Sequence, residues 1–406
     1  MDTKDELKGN KIMAEQNNGV SSATTTTQPL WLLAEITYRC PLHCAFCYNP
    51  TDYDKHTQNE LDTKSWLSVL NQARDLGAAQ LGISGGEPLL RDDIEIIVEE
   101  AHQLGYYSNL ITSGVGLTDK RIDAFKKCGL DHIQLSMHDI TEEINNFITD
   151  TKTFQLKKKV AAMIKDRGYP MVLNVVIHRY NIGHIKEILE MAEALGADYV
   201  ELANTQYYGW SLINRNQLMP TKEQIDHAEM VTNQYRDKVG NKMKIFFVVP
   251  DYYAERPKKC MNGWGEVFMI VTANGDVLPC HSARVIPNLE FPNVKDDSIK
   301  GAWYESPAFN KFRGDEWMKE PCRSCPEKEN DLGGCRCQAF LLTGDAESAD
   351  PVCSLSPNRH VIEKAVLDAQ NPELQAKPII FRTDKNSKRI NEGEEKDRLS
   401  EFHSVP

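Results

Sequence analysis

WLLAEITYRCPLHCAFCYNP, residues 31–50, begins as an apolar run and ends with Cys40, Cys44 and Cys47. A short apolar run bounded by polar residues reads as a buried strand. The cysteines therefore fall in the loop that leaves a strand's C-terminal end. A cubane iron–sulfur cluster has four irons, and an electron carrier gives each of them a thiolate. Three clustered thiols leave one iron open to another ligand. Structural zinc prefers paired Cys-x2-Cys units closed by four ligands and suits this spacing less well.

Downstream of that loop, apolar runs alternate with helical patterns. Trp66, Leu67, Leu70, Ala73 and Leu76 mark a helical face, followed by the strand AQLGISG. The series continues through a helix from Ile94 to Leu104, YSNLIT, a helix from Thr118, HIQLSM, a helix from Phe154 to Lys165, MVLNVVI, a helix from Ile185 to Leu195, and DYVEL. Some six strand–helix units in succession predict an α/β fold, a parallel sheet closed into a partial (β/α)6 barrel with helices outside. In such barrels the chemistry lies at the C-terminal ends of the strands, where the three cysteines fall.

The second strand ends in ISGGEPLL. Gly85 and Gly86 allow close backbone approach to a ligand, and Glu87 offers a carboxylate to an ammonium group. Thr112, Ser136 and Asn174 stand at later strand ends, where they either face the same cavity or cap the strands. His138 follows HIQLSM and is read either as a proton carrier or as a hydrogen-bonded histidine. Tyr207, Tyr208 and Trp210 form an aromatic group that either stacks on a substrate ring or packs a domain junction. Cys128, alone on a helix, reads as a small buried side chain.

The sequence divides into a disordered leader (1–28), the barrel (29–248), a cysteine-rich domain (249–365) and a solvated, mobile tail (366–406). The third segment has few aliphatic runs and needs metal to hold it. The chain has 47 Lys and Arg against 59 Asp and Glu, a net charge of -12, which opposes binding to nucleic acid or an anionic membrane. No stretch approaches the roughly 20 apolar residues of a membrane span. The acidic, threonine-rich N-terminus lacks a secretory pattern, so a cytoplasmic location is expected. Eleven cysteines in a reducing compartment then read as metal ligands before disulfides.

Cys-x3-Cys-x2-Cys with Phe46 before the last cysteine, joined to ISGGEPLL on the next strand, resembles the radical S-adenosylmethionine (SAM) superfamily. The resemblance implies that Cys40, Cys44 and Cys47 hold a 4Fe-4S cluster and that the amine and carboxylate of SAM chelate its fourth iron. Phe46, Gly85, Gly86, Glu87, Thr112, Ser136 and Asn174 would then be cofactor-binding.

The layout Cys260, GDVLPC ending at Cys280, CRSCPEKENDLGGCRC and Cys353 resembles the twin-cluster SPASM extension of that superfamily. By this likeness Cys260, Cys280, Cys335 and Cys337 hold one auxiliary cluster, and Cys322, Cys325 and Cys353 three sites of another. Asp331 stands where a cysteine is usual, and a carboxylate can bind iron. A turn role for Asp331, with water or His281 as the ligand, is the alternative. Either auxiliary cluster is 4Fe-4S or 2Fe-2S by spacing.

Asp331, NTQYYGW and CRCQAFLLTGDA together resemble the pyrroloquinoline quinone (PQQ) biosynthesis branch of the SPASM-domain radical SAM family. This resemblance implies that a 5'-deoxyadenosyl radical removes hydrogen from a Glu γ-carbon of a precursor peptide, PqqA. A carbon–carbon crosslink to a Tyr ring follows, with one electron lost to an acceptor such as an auxiliary cluster. It also implies a peptide chaperone, PqqD, and an external reductant. Two rival readings stand beside it. One is another peptide maturase, thioether-forming or side-chain oxidising, because cofactor motifs do not encode the substrate. The other is a non-catalytic metal-binding scaffold, which leaves the open iron site without a purpose.

Overall fold

The computed structural model describes residues 27–55 and 57–392; the expectations for most of the leader and for the last residues of the tail lie outside them. Six parallel strands follow the alternation read from the sequence: β1 (Trp31–Glu35), β2 (Gln80–Ser84), β3 (Tyr107–Thr112), β4 (His132–Ser136), β5 (Met171–Ile177) and β6 (Tyr199–Asn204). The helices α1 (Thr63–Asp75), α2 (Ile94–Gln103), α3 (Asp119–Cys128), α4 (Glu142–Thr149), α5 (Phe154–Asp166) and α6 (Ile185–Ala194) connect them. Strand residues of one parity, among them Leu32, Ala34, Ile83, Leu110, Leu135, Leu173 and Val200, are fully buried beneath these helices. Each such Leu, Ile or Val side chain contributes about 1.5–3 kcal/mol relative to exposure. The other parity faces the lumen and stays partly open, as in His132, Gln134 and Ser136.

The sheet is larger than six strands. β7 (Lys244–Val248) adds parallel to β6 after an 18-residue helix, Lys222–Val239. On the opposite side β8 (Phe268–Val271) runs parallel to β1, and β9 (Val277–Leu278) runs antiparallel to β8. The order is therefore β7-β6-β5-β4-β3-β2-β1-β8-β9, open at both edges. The cysteine-rich region thus joins the barrel through a shared sheet, which puts its cysteines beside the mouth of the barrel.

Two local readings change. On α1 the buried face is Trp66, Val69, Leu70 and Ala73, while Leu67 is only partly covered. The tail, read as solvated because of its mixed charge, returns to the barrel instead. Helix Asp384–Glu392 packs near the triplet loop, with Ile380 and Ile390 buried against Tyr38, Tyr53 and Trp210. Sparse apolar residues suffice there because side-chain hydrogen bonds tie the segment down.

Candidate active site

β1 delivers its chain into the triplet loop, and the turn after β2 holds that loop in place. Gly86 N–H donates to Thr37 O (2.6 Å) and Glu87 N–H to Arg39 O (2.8 Å). A Cβ on Gly85 would lie 2.4 Å from Thr37 O, and one on Gly86 would lie 2.2 Å from Arg39 O. The two glycines are thus required by the approach of the cysteine loop itself, where the sequence suggested a bound ligand. Arg91 completes the brace by donating to Ile36 O (3.1 Å) and Leu61 O (3.0 Å).

The Glu87 carboxylate, 1% exposed, is already occupied. Oε1 accepts from Leu89 N–H (3.1 Å) and Thr112 Oγ1 (2.6 Å), and Oε2 from Ser113 N–H (2.8 Å) and Ser113 Oγ (2.5 Å). With two donors on each oxygen it braces the ends of β2 and β3 to each other, where the sequence suggested an ammonium partner. Burial still raises its pKa against those donors. Thr112 shares the parity of Leu110, and its hydroxyl is taken up by Glu87. Ser136 and Asn174 do face the lumen, paired across β4 and β5, and Asn174 Nδ2 donates to Glu201 Oε2 (2.8 Å) on β6. Glu201 extends this polar row and was not singled out by the sequence.

Cys40, Cys44 and Cys47 share the loop after β1, each partly open at its surface. Burial pushes Cys40 up to about 12 and raises Cys44 and Cys47 too; in Cys44 the neighbouring thiols Cys40 and Cys47 add to the rise. Three such thiols persist together as thiolates only around a cation, which is the chemistry of a cluster cradle. Phe46 meets His138 edge to face at 4.7 Å and lies 6.1 Å from the His178 ring. His138 Nδ1 accepts Val176 N–H (3.3 Å), and burial holds its pKa well below the usual histidine range. It is a neutral, hydrogen-bonded wall of the site, and the proton-carrier reading is set aside.

Lys157 on α5 was missed by sequence reasoning. It is fully buried, and its Nζ has no hydrogen-bond partner among the described residues. Burial lowers its pKa to about 8, with Cys44, Glu87 and Cys40 near enough to oppose the fall. An unpaired ammonium at that place is poised for an anionic ligand.

The C-terminal cysteines form two groups. Cys260, Cys280, Cys335 and Cys337 pack in one cluster, with Cys280 Sγ 3.5 Å from Cys337 Sγ. Cys322, Cys325, Asp331 and Cys353 line one open cavity with Pro257, Pro321, Gly333 and Leu355. Asp331 Oδ1 accepts Gly333 N–H (2.8 Å). His281 is elsewhere, with Nδ1 2.9 Å from Glu35 Oε1, so it does not complete this set. Both groups fit iron–sulfur ligation by donor type and number.

The rings of NTQYYGW pack the junction. Tyr207 lies against Tyr252 (5.0 Å), and Trp210, fully buried, lies 6.5 Å from Tyr53, so neither is available for a substrate ring. Tyr208 instead reaches Cys335. Cys128 is partly buried against the main core.

Residues 34–192 match the Radical SAM superfamily, and residues 260–326 match SPASM, an iron-sulfur cluster-binding domain. Among solved structures, Streptococcus suis SuiB bound to S-adenosylmethionine is similar with a TM-score of 0.66 at 20% identity, over 81% of this chain and 78% of that one. SuiB bound to precursor peptide SuiA gives 0.67 at 19%, over 81% and 76%. Native anSMEcpe with bound AdoMet and Cp18Cys peptide gives 0.58 at 17%, over 85% and 98%. The chain is thus a radical SAM domain joined to a SPASM domain, with a 4Fe-4S cluster and SAM the cofactors of the first and auxiliary iron–sulfur clusters those of the second.

Proposed function

We propose that this chain is PqqE, the radical SAM enzyme that joins a Glu γ-carbon to a Tyr ring within the precursor peptide PqqA. Cys40, Cys44 and Cys47 would hold the cluster, which when reduced and bound to SAM would supply a 5'-deoxyadenosyl radical. The residues of the chain arrange the rest. Lys157 would set its ammonium against the SAM carboxylate, Ser136, Asn174 and Glu201 would offer polar groups to ribose hydroxyls, and Phe46 with His138 and His178 would wall one side. Backbone carbonyls of the Gly85–Glu87 turn would receive the amine, while the Glu87 side chain keeps that turn rigid.

The observation that carries the reading is Asp331, which shares one cavity with Cys322, Cys325 and Cys353 where the related pattern has a fourth cysteine. A peptide substrate is supported by SuiB and anSMEcpe, similar folds solved with peptides. The test is anaerobic. The reconstituted chain is given SAM, dithionite, PqqA and PqqD, and the products are analysed by mass spectrometry beside a Cys44→Ala control. A peptide lighter by two hydrogens and crosslinked from Glu to Tyr, absent with the variant, is expected. 5'-Deoxyadenosine formed without any crosslink would redirect the assignment to another peptide maturase.

A further inference from the structure

The segment after residue 378 crosses back over the triplet loop and is bonded to it along its length. Asn214 holds Ile380 on both sides, accepting its N–H and donating to its carbonyl, each at 2.8 Å, and donates to Ala45 O at 2.9 Å. Two residues on, Arg382 N–H donates to His43 O (3.2 Å) and its Nη2 to Tyr38 O (2.6 Å). Arg382 therefore grips the loop on both sides of Cys40. Tyr53 stacks under the guanidinium at 3.7 Å and donates its hydroxyl to Asp384 Oδ1 (2.6 Å), while Ser387 and Asn391 bond Thr51 O.

Arg382 is 2% exposed, and its Nε has no partner among the described residues. A guanidinium so placed is costly without an anion nearby. The structure offers one source of negative charge. That source is the triplet, since the two carbonyls Arg382 holds, Tyr38 O and His43 O, lie two residues before Cys40 and one before Cys44. Three thiolates outweigh the positive charge of an oxidised cube, and reduction makes the assembly more negative still. Net charge and hydrogen bonding are among the levers that set such potentials.

We propose that Arg382, carried in by a C-terminal strap of residues 379–392, is a positioning residue of the triplet cluster that pins its loop and raises its reduction potential. This rests on the triplet holding a cluster and on no particular peptide. Arginine suits the place because its planar fork bonds the loop while its charge stays fixed.

The full chain is reconstituted anaerobically and titrated with dithionite under electron paramagnetic resonance (EPR). The signal followed is the one that changes when SAM is added, since only the triplet cluster has an open iron. Arg382→Gln is expected to move that midpoint potential downward, and Arg382→Lys to hold it near the parent value. An unchanged midpoint in the Gln variant would overturn the proposal, as would a fall in the Lys variant equal to that in Gln. If the Gln variant loses its iron, citrulline placed at 382 through a ligated synthetic C-terminal peptide replaces it. Citrulline keeps planar N–H donors and drops the charge, and it is read by the same criterion. A parent chain without a SAM-responsive signal would overturn this proposal and the cofactor assignment together.

Discussion

The Tyr208 hydroxyl lies 3.0 Å from Cys335 Sγ, and two residues later Trp210 N–H donates to the Cys47 carbonyl at 3.1 Å. One short stretch of chain thus touches the triplet loop and the four-thiol group. With Cys335 a thiolate ligand, the phenol is the donor, and burial keeps its proton in place by raising its pKa well above the usual range. Donors to cluster sulfurs favour the reduced state. Tyr208→Phe is expected to lower the midpoint potential of one auxiliary cluster, at a stability loss of about 1 kcal/mol. EPR-monitored titration checks this; the SAM-responsive signal should stay put, and a shift confined to that signal would contradict the assignment.

Lys157 supports a prediction of opposite sign for two readouts. Its buried, unpartnered ammonium burdens the ligand-free fold, and an anionic ligand would relieve it. Lys157→Met should therefore raise the thermal midpoint of the ligand-free chain while weakening SAM binding by about 10-fold or more, the 1.5–3 kcal/mol of a charged hydrogen bond. Calorimetric SAM titration of the cluster-loaded protein beside a melting curve tests both. Destabilisation with unchanged affinity would make Lys157 purely structural.

What local spacing encodes is legible in this sequence, and what depends on distant packing is not. The triplet, the glycine turn and the C-terminal cysteines sit in short runs where ligand spacing speaks directly. Lys157 left a signal too, because it shares a helical face with Phe154, Val160, Ala161 and Ile164, all buried, whereas Lys158 and Lys159 point out. A lysine on an apolar face is the pattern to look for. Arg382 left none, since its segment reads as mixed charge and its place is set by Tyr53 and Tyr38, far away in sequence. The parity of Thr112 was open to reading from YSNLIT, where Leu110 already fixes the core face.

Asp331 makes the second C-terminal set testable by substitution. Its carboxyl is raised by burial, opposed by the Gly333 N–H and by Arg256 and Arg336. Asp331→Ala is expected to lower iron content and remove or alter one auxiliary EPR signal, with the SAM-responsive signal intact. Asp331→Cys should restore the iron with a changed midpoint. A spectrum and iron content unaffected by Asp331→Ala would leave Asp331 as a turn residue.

Arg91 and Asp93 link cofactor-loop geometry to acid stability. Arg91 Nε and Nη2 donate to the two Asp93 oxygens at 2.8 and 2.6 Å, and Thr63 Oγ1 adds a third bond at 2.5 Å. Burial alone would raise the Asp93 pKa, but these donors prevail and hold it below the usual value. A carboxyl lowered on folding stabilises the fold fully above its unfolded pKa, about 3.9, and loses that contribution as pH falls through the folded value. Asp93→Asn should therefore cost about 1–2 kcal/mol at neutral pH, discounted for partial exposure. The gap between parent and variant should close as both are acidified through the lowered folded pKa, where the parent carboxyl is itself protonated. Urea melts at several pH values measure it. A gap that persists unchanged at low pH would assign the loss to the shape of the side chain, and the charge on Asp93 would then have no part in holding Arg91 against Ile36 and Leu61.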